Sequence, residues 1–215
     1  MNIWETIVQG DKNATLWLNN LSDPSTDGFW WVLSDIGTWV PVYIVIAIMM
    51  LWRLGWKKGL AVVLSVALTV LLVDQGSNLV KYGVARFRPC FDTWMVAAGL
   101  RLPYGILSTG KYGFFSAHAG NCFGFAMASY FGVRWYRPGR LSSVYGACVF
   151  CWAALVSLSR VMMGAHFLGD VLAGAAVGLG IGFLCAWLAK FFLLRNDINK
   201  NVTVINKNVS REENQ

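Results

Sequence analysis

The sequence predicts an all-α fold, a polytopic bundle of five to six transmembrane helices with its working residues at one membrane face. Three observations carry this reading. Hydrophobic residues make up 56% of the 215 and charged residues 13%, about half the charged share of an ordinary soluble domain. Mean hydropathy is +0.51. The apolar residues also gather in runs that approach the roughly 20 residues one helical crossing needs.

Taken in order, residues 1–28 carry Ile3, Trp4, Ile7 and Val8, then Leu16, Trp17, Leu18 and Leu21. That broken pattern suits an amphipathic segment lying in the membrane interface. It lacks the cationic start, apolar stretch and small-residue cleavage site of a secretory leader. Five crossings follow, near 29–54, 59–82, 117–136, 141–161 and 168–194, and a sixth within 1–28 would complete the upper count. The first is apolar from Phe29 to Trp52 apart from Asp35, and the second runs charge-free from Gly59 to Val73 before meeting Asp74. The last three hold the charge-free stretches Ala119–Val133, Leu141–Ser159 and Val171–Ala189. The membrane domain is thus 29–195. Residues 196–215 form a polar tail in which Asn199-Lys200-Asn201-Val202 returns as Asn206-Lys207-Asn208-Val209; without apolar surface to bury, it is expected to be disordered.

Net charge is +7, and its distribution gives a topology. Arg53, Lys57, Lys58, Arg134, Arg137, Arg140, Lys190, Arg195, Lys200, Lys207 and Arg211 fall on one side, against Lys12, Lys81, Arg86, Arg88, Arg101, Lys111 and Arg160 on the other. Cytoplasmic loops are enriched in Lys and Arg, so the richer side is expected inside. No aromatic-interleaved basic groove points to nucleic acid. Cys148 and Cys151 form a lone C-x-x-C without a second ligand pair for zinc, and are expected to pack.

The outer cations cluster beside the only two histidines. Up-down connectivity brings to one face Lys81, Arg88 and Pro89 at the end of the second crossing and Ser116-Ala117-His118 at the start of the third. Ser159-Arg160 end the fourth, and His166 and Asp170 open the fifth. Lys81, Arg88 and Arg160 offer three cations, two of them planar forks suited to phosphate oxygens. Ser116 adds a hydroxyl at a helix N-terminus, a ready anion site. Asp170 follows His166 by four residues, so it can accept a ring N–H on one helical face. An anion cradle with two histidines and an orienting carboxylate points to phosphoryl transfer, where positioning and charge stabilisation do most of the catalysis. Asp74, Asn78 and Lys81 are spaced to share a helical face. A buried membrane acid is costly, so Asp74 either supports the site from below or is paired structurally. Arg86, Arg101 and Lys111 read as snorkelling anchors.

These residues resemble the type 2 phosphatidic-acid phosphatases, membrane relatives of the vanadium haloperoxidases. Lys81-YGVARF-Arg88-Pro89 matches that family's Lys-x6-Arg-Pro. Phe115-Ser116-Ala117-His118 keeps the Ser and His of Pro-Ser-Gly-His. Ser159-Arg160-VMMGA-His166-FLG-Asp170 matches Ser-Arg-x5-His-x3-Asp throughout. The resemblance implies that His166 attacks phosphorus to form a phosphohistidine and that Asp170 orients it. It implies His118 as proton donor to the leaving oxygen, with Lys81, Arg88, Ser116, Arg160 and the Ala117 amide on the phosphoryl oxygens. Asp74, Asn78 and Ser159 would support them. No metal and no other cofactor is implied. The expected partners are the bilayer and a lipid phosphate of the undecaprenyl diphosphate, lipid A or phosphatidylglycerophosphate and phosphatidate class. The expected place is a bacterial cytoplasmic membrane, with the site facing outward. A transporter would show inverted repeats and broken helices, a decayed phosphatase would have lost a motif residue, and the haloperoxidases are larger and soluble.

Overall fold

The computed structural model describes the backbone of residues 2–105 and 110–212, and the side chains of those residues as far as 193. Eight helices follow one another: α1 Ile3–Asn19, α2 Asp27–Ser34, α3 Ile36–Leu54, α4 Trp56–Val84, α5 Thr93–Ala97, α6 Ala117–Tyr136, α7 Arg140–Met162 and α8 Leu168–Glu212. Among the described residues there is no sheet, only an isolated antiparallel bridge between Phe87 and Tyr112.

The stretch expected as one crossing over 29–54 is two helices. Asp35 takes an extended conformation, and its Oδ2 accepts the Thr38 N–H at 2.9 Å and the Thr38 hydroxyl at 3.0 Å. A carboxylate at an N-cap satisfies donors that the helix leaves open, so the acid that looked like a blemish in an apolar run starts a new helix. The crossing that remains is α3. Large apolar side chains at Ile36, Val40, Ile44, Ile48 and Trp52 are exposed along it, a four-residue repeat that faces lipid. The polar tail is also not irregular: the backbone of α8 continues helical to Glu212. Once a membrane helix has formed, each further residue adds a hydrogen bond without a new nucleus.

By length and composition α3, α4, α7 and α8 (to Leu193) can cross a membrane. α6 has the length, 20 residues, but not the apolarity, because it occupies the centre. It packs against α4, α7 and α8, and its buried positions are mostly Gly, Ala and Ser. Shielded by its neighbours, α6 has no need of large lipid-facing side chains. Phe125, Ala126, Val149, Ala153 and Val156 form the main cluster, closed by Trp39, Tyr43 and Trp152. Cys148 and Cys151, expected to pack, are exposed on α7.

α6 and α8 touch through backbone. A Cβ at Gly174 or Gly178 would lie on the carbonyl oxygen of Ser116 or Gly120, and one at Gly182 would stand 2.5 Å from that of Gly124. Small residues four apart on facing helices permit this approach where no hydrophobic force drives helices together. Gly178→Ala therefore costs at least about 1–3 kcal/mol from overpacking, read as a lowered thermal unfolding midpoint in detergent. Gly180→Ala, on the same helix with nothing within 4 Å of its would-be Cβ, leaves the midpoint unchanged.

Candidate active site

The four segments singled out above meet at one end of the bundle. α4 ends at Ala85, in the left-handed region at φ 51°, which turns the chain into Arg86-Phe87-Arg88. That strip pairs with 111–113: the Arg88 N–H donates to the Lys111 carbonyl and the Gly113 N–H to the Arg86 carbonyl, both at 2.9 Å. Arg88 is thereby fixed and buried. Its Nε donates to the Gly110 carbonyl at 2.8 Å, and its Nη1 to the Ala165 carbonyl at 3.1 Å and to His166 Nε2 at 2.7 Å.

The last contact assigns the tautomer of His166. A guanidinium only donates, so Nε2 carries the lone pair and the ring proton sits on Nδ1. Burial, and then the charges of Arg88, Arg160 and Lys81, hold this imidazole well below the usual histidine pKa. It is therefore neutral at physiological pH, with an unprotonated nitrogen that accepts from Arg88. Nδ1 faces Asp170 Oδ2 at 3.7 Å, longer than the expected hydrogen bond; catalytic contacts of this kind commonly tighten when substrate binds.

Asp170 is fully buried and engaged elsewhere. Oδ2 accepts the Phe167 N–H at 3.1 Å, the reach-back of a third helical residue to its N-cap. Oδ1 accepts from Arg86 Nη1 at 2.7 Å. The second arm of Arg86 pairs with Asp11 Oδ2 at 2.6 Å, and its guanidinium lies over the Phe167 ring. Arg86 is thus no snorkelling anchor. Nor is Arg101, which donates to Ser22 and pairs with Asp27 at 3.0 Å.

α1 supplies a support that sequence reasoning missed. Its inner stripe is polar, at Asp11, Thr15 and Asn19, while Ile3, Trp4, Ile7 and Trp17 are exposed. Asp11 Oδ1 accepts the Gly169 N–H at 2.7 Å and Thr15 Oγ1 the Leu168 N–H at 2.9 Å. The Asn19 amide donates to the carbonyls of Arg101, Val161 and Met162. Lys12 pairs with Asp92 at 2.6 Å. α1 is a strap across the loop that bears His166.

Ser116 N-caps α6, accepting the Ala119 N–H at 3.4 Å, and its own N–H donates to the Asp170 carbonyl at 3.0 Å. Ala117, at the first helical position, has an N–H with no partner inside the helix. His118 lies one residue on, in hydrogen-bonding reach of the Ser34 backbone and within electrostatic range of Arg160, His166 and Arg88. Arg160, buried at the end of α7, donates through Nη1 to the Ser34 hydroxyl. Lys81 is half-buried, within electrostatic range of Arg88 and His166. Of the three residues expected to support the site, only Asp74 faces it. Asn78 is exposed, because four residues turn a helix by about 400°, enough to carry it past the edge. Ser159 is buried but spends its hydroxyl on the Val156 carbonyl of its own helix at 2.6 Å. Ser77 does what was expected of Asn78, donating to the Phe115 carbonyl at 3.2 Å. Gly113 is a further participant: a Cβ there would stand 3.0 Å from Arg88 Cγ and Asp170 Oδ2 and 3.5 Å from His166 Nδ1.

Arg86, Arg101 and Lys12 have carboxylate partners, whereas among the described residues Lys81, Arg88 and Arg160 have none within ion-pair distance. Of these three, Arg88 donates to Nε2 of His166, and Arg160 and Lys81 lie within electrostatic range of its ring. The sequence pattern of the PAP2 superfamily matches residues 58–193, which hold all of this arrangement except the strap, Ser22, Asp27 and Ser34. The chain belongs to the PAP2 superfamily. It is 34% identical over 179 residues to a lipid A 4'-phosphatase of Porphyromonas gingivalis, covering 83% of this chain and 72% of the relative. To a lipid A 4'-phosphatase of Bacteroides thetaiotaomicron it is 32% identical over 184 residues, 84% and 76% of the two chains. The fold resembles the crystal structure of a transmembrane PAP2-type phosphatidylglycerolphosphate phosphatase from Bacillus subtilis, with TM-score 0.65 and 20% identity over 88% of this chain and 87% of that one. It also resembles Aquifex aeolicus LpxE, with TM-score 0.54 and 21% identity over 80% and 92%. This PAP2 protein is an integral membrane lipid phosphatase, a hydrolase of phosphoric esters.

Arg86→Gln leaves Asp170 without its cation and loosens the strap. In a PAP2 site where a shift of about 1 Å can cost a hundredfold, phosphate release falls by about that factor while the helical CD spectrum is retained. A snorkelling anchor would lose nothing.

Proposed function

We propose that this protein removes a phosphate monoester from a lipid of the lipid A class, at the outer face of a bacterial cytoplasmic membrane, through a phosphohistidine on His166. The observation that carries the reading is the neutral Nε2 of His166 among three cations that lack carboxylate partners. Phosphoryl oxygens accept from Arg88, Arg160, Lys81 and the Ala117 amide, with the Ser116 hydroxyl turning from its cap to join them. Arg88 gives up Nε2 as it takes a phosphoryl oxygen, and Nε2 attacks phosphorus. The bond to the lipid oxygen breaks, and His118 protonates that oxygen as it leaves; the negative charge of the bound phosphate favours the imidazolium. Asp170 stabilises the positive ring that results. His118, now neutral, takes a proton from water, whose oxygen attacks phosphorus, and the N–P bond breaks to release phosphate and restore His166. The two lipid A phosphatases among the relatives support the substrate class.

His166→Ala removes the nucleophile at a helix-end loop and lowers turnover of lipid A at least about a thousandfold. Purified wild-type protein, given radiolabelled lipid A phosphate in detergent with EDTA, releases phosphate and traps an acid-labile, base-stable label that the variant lacks. Activity that EDTA abolishes and magnesium or zinc restores contradicts this chemistry.

The orientation rests on charge. Arg53, Lys57, Lys58, Arg134, Arg137 and Arg140 lie at the end opposite the site, where Met50, Leu54 and Val62 pack with Val133 and Tyr136. At the site end, three of the seven cations are paired with Asp11, Asp170, Asp27 and Asp92; orientation follows the count of Lys and Arg near the crossings. With Cys90→Ser in the background, a cysteine at Lys111 reacts with a membrane-impermeant thiol reagent in spheroplasts and one at Arg137 does not. Both positions are exposed. The reverse pattern places the site in the cytoplasm.

A further inference from the structure

Beneath the phosphate cradle a cavity of about 550 Å³ runs down between α3, α4, α6 and α7. Its walls are almost wholly apolar, including Trp39, Tyr43, Ile46, Met50, Val66 and Phe125, and its polar groups gather at the site end: Ser34, His118, Asp74 and Asn121. The first two belong to the chemistry already described. Asp74 and Asn121 do not.

Asn121 Nδ2 donates to Asp74 Oδ1 at 2.8 Å, and Asn121 Oδ1 is buried with no partner. The amide cannot be turned over to relieve this, since its oxygen would then face the carboxylate. Beyond that bond the pair has two acceptors, the second carboxylate oxygen and the buried amide oxygen, on residues that line the cavity. An acceptor unmatched at membrane depth is costly, and an ionisable group there is rare without a functional partner. The complement of two acceptors is a donor.

The position says which donor. Asn121 follows His118 by three residues on α6, a rise of about 4.5 Å and nearly one turn, so the pair sits one step below the group that protonates the leaving oxygen. A lipid whose phosphate occupies the cradle must pass the atoms next to its scissile oxygen across this point before its chain enters the apolar part of the cavity.

We propose that Asp74 and Asn121 form a subsite for a hydrogen-bond donor, an amide N–H or a hydroxyl, carried a few bonds below the scissile phosphate. The pair selects amide-linked or hydroxylated lipid phosphates over plain diacyl esters. This rests on the phosphatase reading above and adds the determinant of which lipids that site accepts. An ester-linked chain offers only acceptors and leaves Asp74 and Asn121 unpaired, whereas an amide or hydroxyl at that depth satisfies them. A site built to bond a donor rejects the analogue lacking it more strongly than an apolar pocket rejects a change of size.

The test uses purified full-length protein in mixed detergent micelles with three substrates. Ceramide 1-phosphate carries an amide N–H on the carbon next to its phosphate-bearing one and a hydroxyl on the carbon after that. Phosphatidate of matched chain length carries two esters, and p-nitrophenyl phosphate has no chain and reads the cradle alone. Wild type is expected to favour ceramide 1-phosphate over phosphatidate by about tenfold or more in kcat/KM, the worth of about 1.4 kcal/mol. Asn121→Leu and Asp74→Asn each bring that ratio towards one. A wild-type ratio near one, with p-nitrophenyl phosphate hydrolysed, overturns the subsite and leaves the phosphatase reading standing. A ratio unchanged in both variants also overturns it, and needs no assumption about their absolute activity. Lipid A is run alongside. If it releases phosphate and none of the three substrates does, the subsite is overturned and the phosphatase reading stands. If lipid A also fails, the phosphatase reading falls and the subsite with it.

Discussion

The site depends on how closely α6 and α8 approach. One helix carries His118 near its start, and the other begins just after His166. They lie close enough that Gly174, Gly178 and Gly182 have no room for a side chain against the carbonyls of Ser116, Gly120 and Gly124. At the top of that contact the Ser116 N–H donates to the Asp170 carbonyl at 3.0 Å. The two histidines are thereby related through backbone, which has no rotamers. Widening the gap by one methyl group would shift one histidine against the other by a distance that matters to a phosphoryl group passing between them.

A second constraint is the sorting of charge. Seven cations at one membrane face repel one another, and the structure divides them by role. Lys12, Arg86 and Arg101 are tied to acids and hold loops together. Lys81, Arg88 and Arg160 keep their charge for a ligand. Burial and then their field hold His166 neutral, so one set of charges both favours an anion and helps keep that imidazole unprotonated. Among the described residues, the three buried or half-buried cations of this face without a carboxylate partner are those around His166.

Much of this was legible in the residues. The runs of apolar residues gave the bundle, and the motif spacing gave Lys81, Arg88, Ser116, His118, Arg160, His166 and Asp170, all of which converge. What was not legible is instructive. Asp35 looked like a lone charge in a crossing because its role is local capping, which hydropathy does not register. Arg86 looked like an anchor because its partners are 75 and 84 residues away. Asp11, Thr15 and Asn19 were overlooked because attention went to the apolar residues of α1. Their i, i+4, i+8 spacing was a signal, the mark of a helix whose protein-facing side is the polar one. Ser34 and Gly113 carry no motif; only the fold brings Ser34 to Arg160 and leaves no room for a side chain at Gly113. Asn78 and Ser159 show the converse, residues well placed in the sequence that rotate out of reach or satisfy themselves.

The reversed polarity of α1 has a practical consequence. Most amphipathic helices grip a protein by their greasy side and can be trimmed at the cost of some packing. Here the greasy side faces away from the protein, and the inner side completes the hydrogen bonding of the Leu168 and Gly169 amides and of the Val161 and Met162 carbonyls. Shortening the N-terminus past Asn19 in an expression plasmid would strip those groups of their partners next to the nucleophile. A harsh detergent that peels the helix from the surface would do the same. A preparation can thus keep every motif residue, stay helical and soluble in micelles, and still be inert. Fusion tags belong at the other end of the chain.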